Sequence, residues 1–214
     1  MTTTGWDSLH ALALAGLLAW ASGLRLYLVV FMLGLAAHFQ YIELPAGLHV
    51  LSHPYVIGAA GFMLAVEFFA DKIPGLDTVW DAVHTFIRIP AGALLAAGAS
   101  GDDVSAYTVA AGILGGAITA GTHFAKAGSR AAINTSPEPF TNWGASFTED
   151  AMVIGGTWLA FAHPALFIAL VVLFLLIVAW ILPKIWRFLK RVFGALRRVS
   201  AGRPQKPSSP MSSP

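Results

Sequence analysis

Apolar residues fall along this chain in long runs separated by short polar breaks. Residues 6–40 are almost continuously apolar, too long for one simple membrane span, and are interrupted by Ala21-Ser22-Gly23 and Arg25. Two arrangements fit. One is an interfacial helix over 6–20 followed by a span over 23–39. The other, preferred here, is a single membrane helix broken at Ser22-Gly23, which is tolerated where the broken backbone is buried or lines a cavity. Residues 41–54 hold Glu43, Pro45, Gly47, His49 and His53 and read as a connection with one interfacial turn. Pro54 starts the next helix without losing a needed N–H, and the second span covers 55–71. A polar turn over 72–81 overlaps an amphipathic stretch over 76–88, with Val79, Val83, Phe86 and Ile87 on one side. Pro90 kinks it before 91–99 completes a third span.

Ser100-Gly101-Asp102-Asp103 is a loop. The fourth span, 104–124, is rich in Gly and Ala. Its Gly112-x-x-x-Gly116 pattern permits close helix packing in lipid, so it is predicted as a packed interior helix. Residues 126–142 form the most polar interior segment. The fifth span, 143–162, carries Glu149-Asp150, His163-Pro164 makes a tight connection, and the sixth, 165–182, has no polar side chain. Residues 1–182 are thus one transmembrane domain with halves at about 6–99 and 104–182. Over 183–199 apolar residues share one helical face, and Lys184, Arg187, Lys190, Arg191, Arg197 and Arg198 fill the other. That predicts a basic amphipathic helix on an anionic leaflet; a partner-binding helix is the alternative. Residues 200–214 read as a disordered Pro/Ser-rich tail.

Composition sharpens this. The chain is 57% hydrophobic and 11% charged, against about 25% charged in soluble domains, which places it in the multi-pass membrane class. It has no cysteine, which excludes disulfides and thiolate chemistry. Met1 to Asp7 hold no Lys or Arg, so the first apolar run lacks a signal peptide's basic leader and is expected to be retained. Eight of the thirteen basic residues follow Pro183. The positive-inside rule then puts both termini in the cytoplasm. No phosphate loop, dinucleotide fingerprint or metal-binding histidine spacing appears, and the basic tail is better explained by anionic lipid than by nucleic acid.

The two halves look like distant copies. Ala21-Ser22-Gly23-Leu24-Arg25 and Ala120-Gly121-Thr122-His123 both place small residues before a basic group; His53-Pro54 and Ser136-Pro137 each precede an acidic residue, Glu67 or Asp150. Three spans per half make the repeats inverted, a plan that puts a transporter's site at the repeat interface.

The candidate site follows from charges inside apolar segments, which are expensive and usually face a protein interior or a solute path. Glu67 and Asp71 share a helical face. With Glu149 and Asp150 from the other half they would form the polar centre. Arg25 and Arg130 would supply counter-charge or contact an anionic solute. Asn134, Ser136 and Asn142 would be neutral ligands. If a metal binds, Glu67 and Asp150 are its expected ligands. Arg88, Lys126 and Lys72 are expected instead to snorkel to the interface.

Ser22-Gly23-Leu24-Arg25-x-Tyr27, Glu67-x-x-x-Asp71-Lys72-Ile73-Pro74, Ser129-Arg130, Ser136-Pro137-Glu138-Pro139, Asn142 and Glu149-Asp150 together resemble the bacterial membrane family known as domain of unknown function 4126, over roughly 9–182. The resemblance implies an integral membrane protein and no particular activity. Glu67-Phe-Phe-Ala-Asp71-Lys72 is more distantly similar to the motif of inverted-repeat cation exchangers, from which it differs in spacing and in lacking the glycine.

The expectation is therefore an all-α integral membrane protein of about six spans in two inverted three-helix repeats. It would act as a transporter or channel for an ion or small charged solute, with no resident cofactor but a coupling cation or proton, and could assemble as a homo-oligomer. A membrane enzyme acting on a lipid head group and a non-transporting scaffold are the alternatives.

Overall fold

A computed structural model describes residues 8–73, 75–101, 105–134 and 139–201. Among the described residues the regular structure is helical: α1 (Ser8–His38), a 3-10 helix (Ala46–Ser52), α2 (Pro54–Ala70), α3 (Leu76–Ala99), α4 (Ala106–Ile133), α5 (Pro139–Ala162) and α6 (Pro164–Ala201). The chain divides into two units, residues 1–178 and 179–214. The second is, in its described part, the remainder of α6, with Lys184 and Arg187 exposed. The side chains of Lys190, Arg191, Arg197 and Arg198, and the tail from 202, lie outside the described residues.

Four described helices are long and apolar enough to cross a membrane: α1, α3, α4 and the 164–181 part of α6. The 3-10 helix and α2, bent by 67°, make a fifth if they count as one broken span. The chain is thus a multi-pass membrane protein.

The helix interior to the first unit is α1. Leu14, Leu17, Leu18, Val29 and Leu33 are all at or below 1% exposure, so α1 is wrapped by its neighbours along its length. The broken-helix expectation holds in form: α1 is one element of 31 residues, and its break is at Arg25, whose φ of −143° and ψ of 70° leave the helical region. The break falls after Ser22-Gly23 rather than on it. Trp20 is a core residue, edge-on to Phe167 and Phe174 of α6.

Two expectations about α4 are corrected. It does not end at Phe124 but runs nine residues further, to Ile133, because no proline or helix-ending glycine intervenes before Asn134. Nor is it an interior helix. It is two-faced, with Ile113 and Leu114 more than 60% exposed and Gly115, Thr119, His123, Lys126 and Arg130 buried. Helix α3 has the same inverted pattern. Asp77, Asp81, His84 and Arg88 are buried, while Val79, Val83 and Phe86 are exposed. Charge inside and hydrocarbon outside is the arrangement lipid requires, since a charge facing hydrocarbon is far costlier than one facing a partner.

Small residues let α1, α3 and α4 approach closely enough to build that interior. A Cβ added to Gly92 would lie 2.0 Å from Thr119 Oγ1, and one added to Gly23 would lie 2.6 Å from the Thr119 carbonyl oxygen and 2.9 Å from the His123 nitrogen. The second obstacle is backbone and cannot rotate away. Gly23→Ala is therefore expected to force the helices apart and destabilise by about 1–3 kcal/mol, read as a lower Tm in detergent. Gly128→Ala, which would meet nothing within 4 Å, should leave the Tm unchanged.

Candidate functional site

The buried faces of α3 and α4 are set by helical spacing. Asp77, Asp81, His84 and Arg88 recur at intervals of four, three and four; Thr119, His123, Lys126 and Arg130 recur at four, three and four. Each set lies on one stripe. The end of α2 adds Glu67 and its C-cap Asp71. Helix α5 adds Asn142, Ser146, Glu149 and Asp150 at helical intervals. Of these, Glu67, Asp71, Lys126, Ser146, Glu149 and Asp150 meet at the break in α1.

Arg25, fully buried, is the hub. Its Nη1 lies 2.5 Å from Asp71 Oδ2 and 3.7 Å from Glu67 Oε1. Its Nε lies 2.9 Å from Asp150 Oδ1 and 3.4 Å from Glu149 Oε2. Its Nη2 donates to the hydroxyl of Ser146 at 2.6 Å and to that residue's carbonyl at 3.1 Å. One guanidinium, which presents five N–H donors in a rigid fork, thus touches α2 and α5 at once.

Three more cations complete the network. Arg88 bridges Glu67 and Asp81, at 2.5 and 3.2 Å. Lys126 lies between 3.2 and 3.7 Å from Glu67, Asp71, Asp81 and Glu149, and donates to the Leu24 carbonyl beside the α1 break at 3.0 Å. Arg130 donates to Glu149 Oε1 through Nε and Nη2, at 3.2 and 3.0 Å, and through Nη1 to the carbonyls of Asp71 and Asn142. Removing this many charges from water costs several kcal/mol per ion, which only dense pairing offsets.

Of the expected site residues, Glu67, Asp71, Glu149, Asp150, Arg25 and Arg130 are brought together. Asn134 and Asn142 are adjacent to the network but tied elsewhere. Asn134 donates to both oxygens of Asp77 at 2.9 Å, and Asn142 donates to Asn134 Oδ1 at 2.8 Å. This ties the end of α4 to the starts of α3 and α5. Ser136 lies outside the described residues. Glu67 and Asp150 share Arg25 between them, and among the described residues no group of three or more His, Cys, Asp or Glu could hold a metal ion.

Arg88 and Lys126 do not snorkel; they are 0% and 2% exposed. Asp81 and Ser146 were not anticipated as site residues, nor was His123, whose Nε2 lies 2.7 Å from the Thr85 hydroxyl. The signal for α3 was available. The sequence marks its apolar side, and in lipid the opposite, charged side is the buried one. Lys72 comes nearer to the interfacial expectation. It is half-buried in the turn after α2, its Nζ 2.9 Å above the Phe68 ring and 3.2 Å from the Phe68 carbonyl. Burial, and then repulsion from Arg25, hold its ammonium below the usual lysine range.

Cavities among the described residues lie elsewhere. An apolar one of about 480 Å3 opens between α1, α2 and α3 beside Tyr27, Val56, Met63 and Leu95. Another, about 540 Å3, lies at Gln40, Glu43 and His49, and a third, about 250 Å3, beside Trp20 and Phe167. No network residue lines any of them.

A family model described as domain of unknown function (DUF4126) matches residues 12–184, which include every member of the network. No curated protein and no solved structure matches the chain.

Proposed function

The chain belongs to the family described as domain of unknown function 4126, and from the site rather than from that membership we propose a membrane transporter for an ion or small charged solute. The observation that carries this reading is the nine-residue ion network gathered around Arg25 at a break in a membrane-crossing helix. A network that served packing alone would be expected to satisfy its atoms. Here Glu67 Oε2, Asp71 Oδ1 and Asp81 Oδ2 are buried without an aligned hydrogen bond. Such leftover capacity is what a solute or coupling ion would use. The closed arrangement corresponds to an occluded state, and alternating access would repartition Arg25 and Lys126 among the carboxylates.

The finer architecture belongs to the same proposal. We read six spans in two inverted halves, α1–α3 and α4–α6, with both termini cytoplasmic in a bacterial inner membrane. The small-residue segments that suggested the repeat pack on one another, Gly23 against Thr122 and His123. The basic end of α6 would lie on anionic lipid.

A second reading, a non-transporting scaffold, is favoured by one observation: each carboxylate of the network has a cation within 3.7 Å. Flux decides between them. Proteoliposomes holding the purified protein would be tested against a panel of small organic anions, sodium and magnesium. The transporter reading predicts flux above empty liposomes that falls by roughly tenfold or more, the equivalent of about 1.4 kcal/mol, in Glu67→Gln and in Asp150→Asn. Flux unchanged in both variants would remove these residues from the mechanism. No flux of any member of the panel would favour the scaffold.

A further inference from the structure

Resting on the transporter reading, we propose that the coupling ion is a proton and that Asp150 is the carboxylate that binds and releases it. The network joins five carboxylates, Glu67, Asp71, Asp81, Glu149 and Asp150, to four cations, Arg25, Arg88, Lys126 and Arg130. With all nine ionised its net charge is four minus five, or −1. An uncompensated charge in a low-dielectric interior is costly, so one bound positive ion restores neutrality.

The geometry selects a proton over a metal ion. A hard cation such as calcium takes six to eight oxygens. Here guanidinium and ammonium groups stand between the carboxylates, and no three acidic or histidine groups among the described residues can share an ion. A proton needs a single oxygen.

Asp150 is the carboxylate placed to exchange it. Glu67, Asp71 and Glu149 each lie within 4 Å of three cations and Asp81 of two; Asp150 lies near one, Arg25. Its side chain is 22% exposed, against 10% for Glu149 and 2% or less for the rest. The charged groups that act on it are Arg25 on α1, Glu67 on α2, Lys72 in the following turn, and Glu149 on its own helix. Neither its Oδ1 nor the facing Arg25 Nε has an aligned hydrogen bond. A proton from water would attach to an Asp150 carboxylate oxygen and convert it to the neutral acid. That frees Arg25 Nε for an anionic solute while Ser146 still holds Nη2. Loss of the proton returns Asp150 to Arg25 and expels the solute.

Infrared difference spectroscopy of the protein in lipid, titrated over about pH 6 to 9, above the range in which the chain's ordinary carboxylates take up protons, tests this without requiring transport. The expected result is a titrating carbonyl band of a protonated carboxylic acid in the wild type and in Glu149→Gln, absent from Asp150→Asn. Carbon-13 labelling of aspartate, which needs no variant to fold, should shift that band. Asp150→Glu should move it out of the aspartate-labelled set. A band that survives in Asp150→Asn, or that ignores aspartate labelling, overturns the assignment, as does a wild type with no titrating band. A titrating Asp150 in a protein that moves nothing would defeat the transporter reading and leave the proton site standing. Flux with no such band would defeat the proton site alone.

Discussion

Arg25→Ala is expected to be the most damaging single substitution in the chain. It should remove about 3–5 kcal/mol of stability, the usual effect of deleting one partner of a buried ion pair. The reason is what stays behind. Asp71 and Asp150 lose their shortest cation contacts, Glu67 and Glu149 lose a neighbour, and the Ser146 hydroxyl loses its donor. All but Asp150 are nearly closed to water, so no hydration replaces what is lost. Arg25→Lys should not restore stability, because a single ammonium cannot reach Asp71, Asp150 and Ser146 in three directions as a guanidinium does. Thermal unfolding in detergent checks both. A Tm for Arg25→Ala within a few degrees of the wild type would show that the hub does not hold the bundle.

The second large effect concerns α4 and α5, which make few contacts apart from their charged groups. Arg130 joins them through two hydrogen bonds to Glu149 and one to the Asn142 carbonyl, and reaches α2 at the Asp71 carbonyl. Arg130→Met alone should cost about 3–5 kcal/mol by leaving Glu149 short of donors. Arg130→Met with Glu149→Leu removes both charges. It should be less destabilised than the sum of the two single variants by about 1–3 kcal/mol, the coupling expected of directly paired residues. Strict additivity would mean that the pair is not coupled, and the network would then not act as a unit.

The membrane class, the helical fold and most helix starts were legible in the sequence, because lipid imposes strong signals. Long apolar runs and the helix-starting prolines Pro54 and Pro164 mark elements without tertiary information. Glu67, Asp71 and Arg25 were legible as site residues for the same reason: a charge inside or at the edge of an apolar run needs a partner. Lys126 and Arg130 follow the apolar stretch, in the most polar interior segment. Only packing shows that α4 continues through them and turns both inward. Arg88 and Lys126 were misplaced because a long cationic side chain near a helix end can either snorkel or turn in, and the sequence is the same in both cases. Asp81 was hidden by its proximity to the Lys72 turn. What decides is a partner more than thirty positions away, as with Lys126 for Asp81 and Glu67.

The central claim is that the ion network opens during function, and thiol accessibility tests it most directly. The chain has no cysteine, so Ser146→Cys places a single thiol beside Arg25 on a fully buried position. In sealed vesicles, a small charged membrane-impermeant thiol reagent would be applied from one side or the other. Alternating access predicts slow labelling from each side in turn, at a rate that changes with pH. A thiol that labels only after unfolding, from neither side at any pH, would show a permanently closed network and contradict transport through it.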